Sequence, residues 1–65
     1  MTGTIVRLIF DRHFGFIRAD DGQEVFFHAS ALVANDFAAL TANQTVEFDL
    51  ERGEKGAKAA NVRVR

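Results

Sequence analysis

The stretch Arg12-His13-Phe14-Gly15-Phe16-Ile17-Arg18-Ala19, carried through Asp20-Asp21-Gly22 to Val25-Phe26-Phe27-His28, decides how this chain folds. Asp20-Asp21-Gly22 is a turn signal, because Asp and Gly tolerate the positive φ of a tight reversal. The aromatic and apolar segments on either side, residues 12–19 and 25–28, read as the two strands of a hairpin. Strand side chains alternate between faces. Arg12, Phe14, Phe16 and Arg18 then share one face of the first strand, and His13, Gly15, Ile17 and Ala19 share the other. In the second, Phe26 and His28 share a face opposite to that of Val25 and Phe27.

Unpaired arginines are very costly to bury. The face carrying Ile17, Val25 and Phe27 is therefore the predicted core, and the Arg-Phe-Phe-Arg face looks outward beside Phe26 and His28. The alternative, in which the outer rings are core and the arginines snorkel from its edge, is disfavoured because Ile17, Val25 and Phe27 already fill the other side. Exposing a ring gives up roughly 1.5–3 kcal/mol, so an exposed aromatic face is expected to have a use. Stacked nucleobases gain about 1–3 kcal/mol each on such a platform. Arginine adds phosphate contacts and planar stacking. Rings interleaved with basic residues on a sheet suit single strands, whose bases can splay onto them.

The rest of the chain extends the β pattern. Residues 4–10 are β-branched and apolar, and form a first strand. Residues 45–51 alternate, with Val46, Phe48 and Leu50 inward and Glu47, Asp49 and Glu51 on a solvated outer face. Residues 60–65 alternate again, with Val62 and Val64 inward, after a turn at Gly53-Glu54-Lys55-Gly56. Val6 is expected to join this core. Residues 29–32 fit one helical turn, capped by Ser30. Residues 33–44 fit either a short helix capped by Asn35 or Asp36 or a long loop. Five short strands with a long connection after the third predict an all-β, small, closed, five-stranded antiparallel barrel, which also removes exposed sheet edges.

The bulk numbers narrow the class. With 65 residues, one domain spanning 1–65 is expected. Without cysteine there is no disulfide or thiolate metal site, and two histidines are too few for a zinc site of their own. No cofactor or metal is expected. The apolar run Ile5-Val6-Arg7-Leu8-Ile9-Phe10 is too short for a signal core or a membrane span, so a soluble, cytoplasmic protein without membrane partners is expected. Formal net charge is −1, so a nucleic-acid role requires charge to be sorted by face. No nucleophile–base pair or phosphate-cradling glycine loop supports an enzyme.

The segments also resemble the bacterial cold-shock protein family. Arg12-His13-Phe14-Gly15-Phe16-Ile17 resembles its first ribonucleoprotein motif, usually Lys-Gly-Phe-Gly-Phe-Ile. Val25-Phe26-Phe27-His28 resembles the second, usually Val-Phe-Val-His-Phe. Thr2-Gly3-Thr4-Ile5-Val6-Arg7, Ser30-Ala31-Leu32, Gly53-Glu54-Lys55-Gly56 and Ala59-Ala60-Asn61-Val62 follow in family order. The resemblance implies a single cold-shock domain with the oligonucleotide/oligosaccharide-binding (OB) fold. It implies binding of single-stranded RNA or DNA with low sequence specificity, and RNA-chaperone activity. Phe14, Phe16, Phe26 and His28 match stacking positions, and Arg7, Arg12 and Lys55 match basic positions. Phe37 matches an aromatic covering one end of the site, or else simply packs its loop down.

The departures are specific. The family's first-strand Lys-Trp-Phe is matched to Arg7-Leu8-Ile9, placing Leu8 at a stacking tryptophan. Ala29 stands where a phenylalanine is usual, His13 where glycine is usual, and Phe10 where a polar residue is usual. Phe10 is a candidate to replace part of the missing surface. Two lost stacking positions remove about 2–6 kcal/mol, so weaker binding than in a standard member is expected. The competing reading is a protein-interaction or self-associating OB module that has lost most nucleic-acid affinity. A monomer is expected, with strand exchange through residues 33–44 as the route to a dimer.

Overall fold

A computed structural model describes residues 1–33, 36–54 and 56–65. Five strands, β1 (Thr2–Ile9), β2 (Phe14–Ala19), β3 (Glu24–His28), β4 (Thr45–Gly53) and β5 (Gly56–Val64), close into a barrel in the order β1-β2-β3-β5-β4. The β1–β2, β2–β3, β1–β4 and β4–β5 pairs are antiparallel, and a parallel contact at Phe26–Lys58 joins β3 to β5. The connection between β3 and β4 carries two single 3₁₀ turns, Ala29–Ala31 and Phe37–Ala39. The long loop, rather than a helix, is thus what the described part of residues 33–44 forms; Asn35 lies outside the described residues.

The hairpin reading holds at the core. Ile17, Val25 and Phe27 are fully buried, together with Val46, Phe48 and Val62. Leu50 and Val64 are partly buried and packed against that core. Gly15 is small for a reason: a Cβ there would lie 2.6 Å from the Arg7 carbonyl oxygen and 2.9 Å from the Phe27 ring. The neighbouring strands β1 and β3 crowd this position too closely for any side chain.

Two expectations for the first hairpin are corrected. Val6 is not a core residue; Ile5 is, at 0% exposure. A bulge between Ile5 and Arg7 inserts Val6 as an unmatched residue in β1, so alternation restarts beyond it. Arg12 does not lie in β2, which begins at Phe14. His13 has φ 58°, a left-handed conformation, and lies in the turn before β2. The turn cap is also corrected. His28, not Ser30, caps the turn at 29–31, its Nδ1 accepting the Ser30 backbone N–H at 3.1 Å. Asp36 precedes the second turn without a side-chain cap bond.

Candidate nucleic-acid interface

Register places the aromatic residues. Phe14 pairs with His28 and Phe16 with Phe26 across the β2–β3 ladder, so all four lie on the outer face, while Ile17 pairs with Val25 inside. The three phenylalanine rings pack on one another: centroids are 5.9 Å apart for Phe14–Phe16, 5.4 Å for Phe14–Phe26 and 6.1 Å for Phe16–Phe26. Mutual packing leaves Phe14 and Phe16 half-buried and Phe26 exposed. The rings thus form a preassembled platform, since the contacts that orient them are made before any ligand arrives. His28 is exposed beside them, its Nδ1 engaged by Ser30.

The bulge in β1 decides what stands next to the platform. Arg7 pairs with Phe16 and Ile9 with Phe14, so both belong to the aromatic face. Leu8 pairs with Gly15 and packs against the core. Leu8 is partly buried, and its register partner Gly15 faces inward, so among the β1 residues Arg7 rather than Leu8 stands directly across from Phe16. Arg7, Ile9, Asp11 and Arg12 line a shallow hollow with Phe14 and Phe16. Sequence reasoning missed Ile9, which is partly buried beside the rings.

Charge is sorted along this face. Arg18 meets Glu24 at 3.8 Å and Lys58 meets Glu51 at 3.9 Å, each pair flanking the rings. Arg7 and Arg12 have no ion pair among the described residues. The other two outer acids of β4 are engaged elsewhere: Glu47 pairs with Arg63 and Arg65, and Asp49 accepts the Asn61 side-chain amide at 2.9 Å. Arg7 and Arg12 thus put uncommitted positive charge beside Phe14 and Phe16; Arg52 on β4 also lacks an ion pair among the described residues. Lys55 lies outside the described residues.

Next to the turn that carries Arg12, Phe37 is 6% exposed and packs on Phe27 at 6.0 Å. It is a core ring that closes the barrel end, not an open stacking surface. Phe10 sets its edge against it at 5.6 Å and remains 50% exposed, so it extends the aromatic surface toward Phe37 rather than over the three-ring cluster.

A family profile described as 'Cold-shock' DNA-binding domain matches residues 1–65. The chain belongs to the cold-shock domain family. It is 48% identical over 63 residues to the cold shock-like protein CspG of Escherichia coli, covering 95% of this chain and 90% of that protein. It is 43% identical over 60 residues to the cold shock protein CspC of Bacillus subtilis, covering 92% and 91%. The major cold shock protein of Streptococcus pyogenes is 42% identical over 60 residues, covering 92% and 90%. Cold-shock domains are nucleic-acid-binding modules and not enzymes. The five-stranded closed barrel of this cold-shock domain agrees with the OB architecture expected from the sequence. No helix among the described residues is long and apolar enough to cross a membrane.

Proposed function

We propose that this cold-shock domain, acting as one unit over residues 1–65, binds single-stranded RNA or DNA by stacking bases on Phe14, Phe16, Phe26 and His28. The backbone of the strand passes Arg7 and Arg12. The observation that carries this reading is the self-packed three-ring cluster outside a barrel whose core is complete without it. Every base offers a π-face, so stacking discriminates weakly among sequences. A protein that holds unstacked bases favours single strands over weak hairpins, which is an RNA-chaperone activity. The few uncommitted cations predict modest affinity.

Titration of a labelled oligouridine or oligothymidine across salt concentration tests the proposal. About three or four phosphate contacts give a log–log slope of about −2 to −3. Phe16→Ala and Phe26→Ala should each weaken binding roughly tenfold while the fold persists. Absence of binding at low salt overturns the proposal. A dimer that forms with concentration and ignores oligonucleotide would favour self-association instead.

A further inference from the structure

We infer that His28 is a proton-controlled cation of the aromatic platform: it takes up a proton without leaving its place, and acid thereby adds a phosphate contact and tightens strand binding. This rests on the nucleic-acid reading above and adds a regulation to that site. The His28 ring is held from one side. Its Nδ1 accepts the Ser30 backbone N–H at 3.1 Å and lies 3.1 Å from the Ser30 hydroxyl oxygen. A backbone N–H can only donate, so Nδ1 of the neutral ring carries the lone pair and Nε2 carries the proton. Nε2 has no hydrogen-bond partner among the described residues, and His28 is exposed.

The hold on the ring survives protonation with one reversal. A serine hydroxyl both donates and accepts. When Nδ1 gains a proton, Ser30 Oγ becomes its acceptor by rotation of the hydroxyl hydrogen, and the ring stays where it is. The Ser30 N–H releases Nδ1, and at this exposed residue water takes its place. Phe14, Phe16 and Phe26 have no second charge state. His28 is the one platform ring whose charge follows pH.

The groups around His28 leave that added charge uncompensated. Phe14 stands across the ladder on β2, and Ser30 and Ala31 follow on the turn, all uncharged. Glu51 of β4 and Lys58 of β5 line one hollow with His28, but they pair with each other at 3.9 Å. In the turn before β2, Asp11 and Arg12 line a different hollow with Phe14. His13 of that turn accepts the Ala29 N–H through its carbonyl at 2.8 Å and is the second titratable ring nearby. Asp36 lines the hollow that His13 shares with Ala29. Arg7 and Arg12 supply free positive charge beside Phe14 and Phe16. A proton on His28, paired across the ladder with Phe14, continues that charge along the rings. Imidazole titrates between about pH 5 and 8, a range in which neither uracil nor the phosphodiester changes charge.

The test is titration of a labelled oligouridine across salt at about pH 8 and about pH 5.5. The proteins are the wild type, His28→Phe, His13→Gly and Phe16→Ala, with thermal melts at each pH confirming the fold. The wild type should bind roughly fivefold tighter in acid at low salt, with a log–log slope steeper by about 0.7. Calorimetry between those pH values, in two buffers of different ionisation heat, should show proton uptake on binding. His28→Phe keeps a ring and should lose both the acid gain and the proton uptake. His13→Gly suits the left-handed backbone at that position and should keep both. If His28→Phe retains the acid gain, or His13→Gly abolishes it, the inference fails. If wild-type affinity is equal at the two pH values while Phe16→Ala weakens it, the inference fails and the platform stands. If nothing binds at either pH, both fail.

Discussion

Arg7 of β1 lies directly across the ladder from Phe16 of β2, which puts a cation rather than a ring at the first-strand edge of the aromatic platform. The next residue, Leu8, faces Gly15 and the core. Arg7→Trp should therefore extend the platform by one ring and tighten oligonucleotide binding by about 1–3 kcal/mol. The same change removes a phosphate contact and should make the salt slope shallower by about 0.7. Leu8→Trp should do the reverse: overpack the interior, cost about 1–3 kcal/mol of stability, and add no affinity. Denaturant melts and titrations of both variants decide the matter. Tighter binding by Leu8→Trp alone would mean that residue 8 faces outward.

Gly15→Ala tests how closely β1 and β3 crowd β2. The added Cβ would meet the Arg7 carbonyl oxygen at 2.6 Å, and a backbone atom cannot swing aside as a side chain can. The expected cost is about 3 kcal/mol in denaturant unfolding, a large part of the roughly 3–10 kcal/mol available to a chain of this size at about 0.05–0.15 kcal/mol per residue. Gly53→Ala is the control. Its Cβ would approach nothing closer than 3.9 Å, so stability should change by less than about 1 kcal/mol.

Alternation made the β2–β3 hairpin legible from Phe14 onward, because Arg18 and the rings sorted onto one face and Ile17, Val25 and Phe27 onto the other. The same rule failed in β1. A bulge at Val6 carries no sequence signal of its own in a β-branched run, and one unmatched residue exchanges the faces of everything beyond it. Ile5 and Val6 are equally apolar, so nothing local distinguishes the core residue from its half-buried neighbour. Phe37 was ambiguous for a different reason. Its burial depends on Phe27 and Phe10, contacts from other elements that loop residues do not reveal by periodicity.

The bond from the Ser30 N–H to His28 Nδ1 divides two roles of one side chain. Asparagine at position 28 retains an acceptor suited to capping but has no ring. His28→Asn should therefore keep most of the stability and lose about 1–3 kcal/mol of binding. Phenylalanine keeps the ring and loses the acceptor. His28→Phe should retain affinity and lose about 0.5–2 kcal/mol of stability. Thermal melts and titrations on both variants separate the effects; a parallel loss of stability and binding in both would show that the ring acts only through the turn.

The acids beside the platform limit its charge. Glu24 holds Arg18 at 3.8 Å and Glu51 holds Lys58 at 3.9 Å, with every side chain in these pairs more than half exposed. Such exposed pairs contribute about 0–1 kcal/mol, so Glu24→Gln with Glu51→Gln should leave the melting temperature nearly unchanged. The double change moves formal net charge from −1 to +1 and releases cations on both flanks of the rings. Low-salt affinity should rise, and each newly recruited phosphate should steepen the log–log salt slope by about 0.7. The gain should fade as salt increases, because exposed charges are screened over about 10 Å at 0.1 M. Equal low-salt affinities for the two proteins would mean that the bound strand stays near Arg7 and Arg12 and does not run past Arg18 or Lys58.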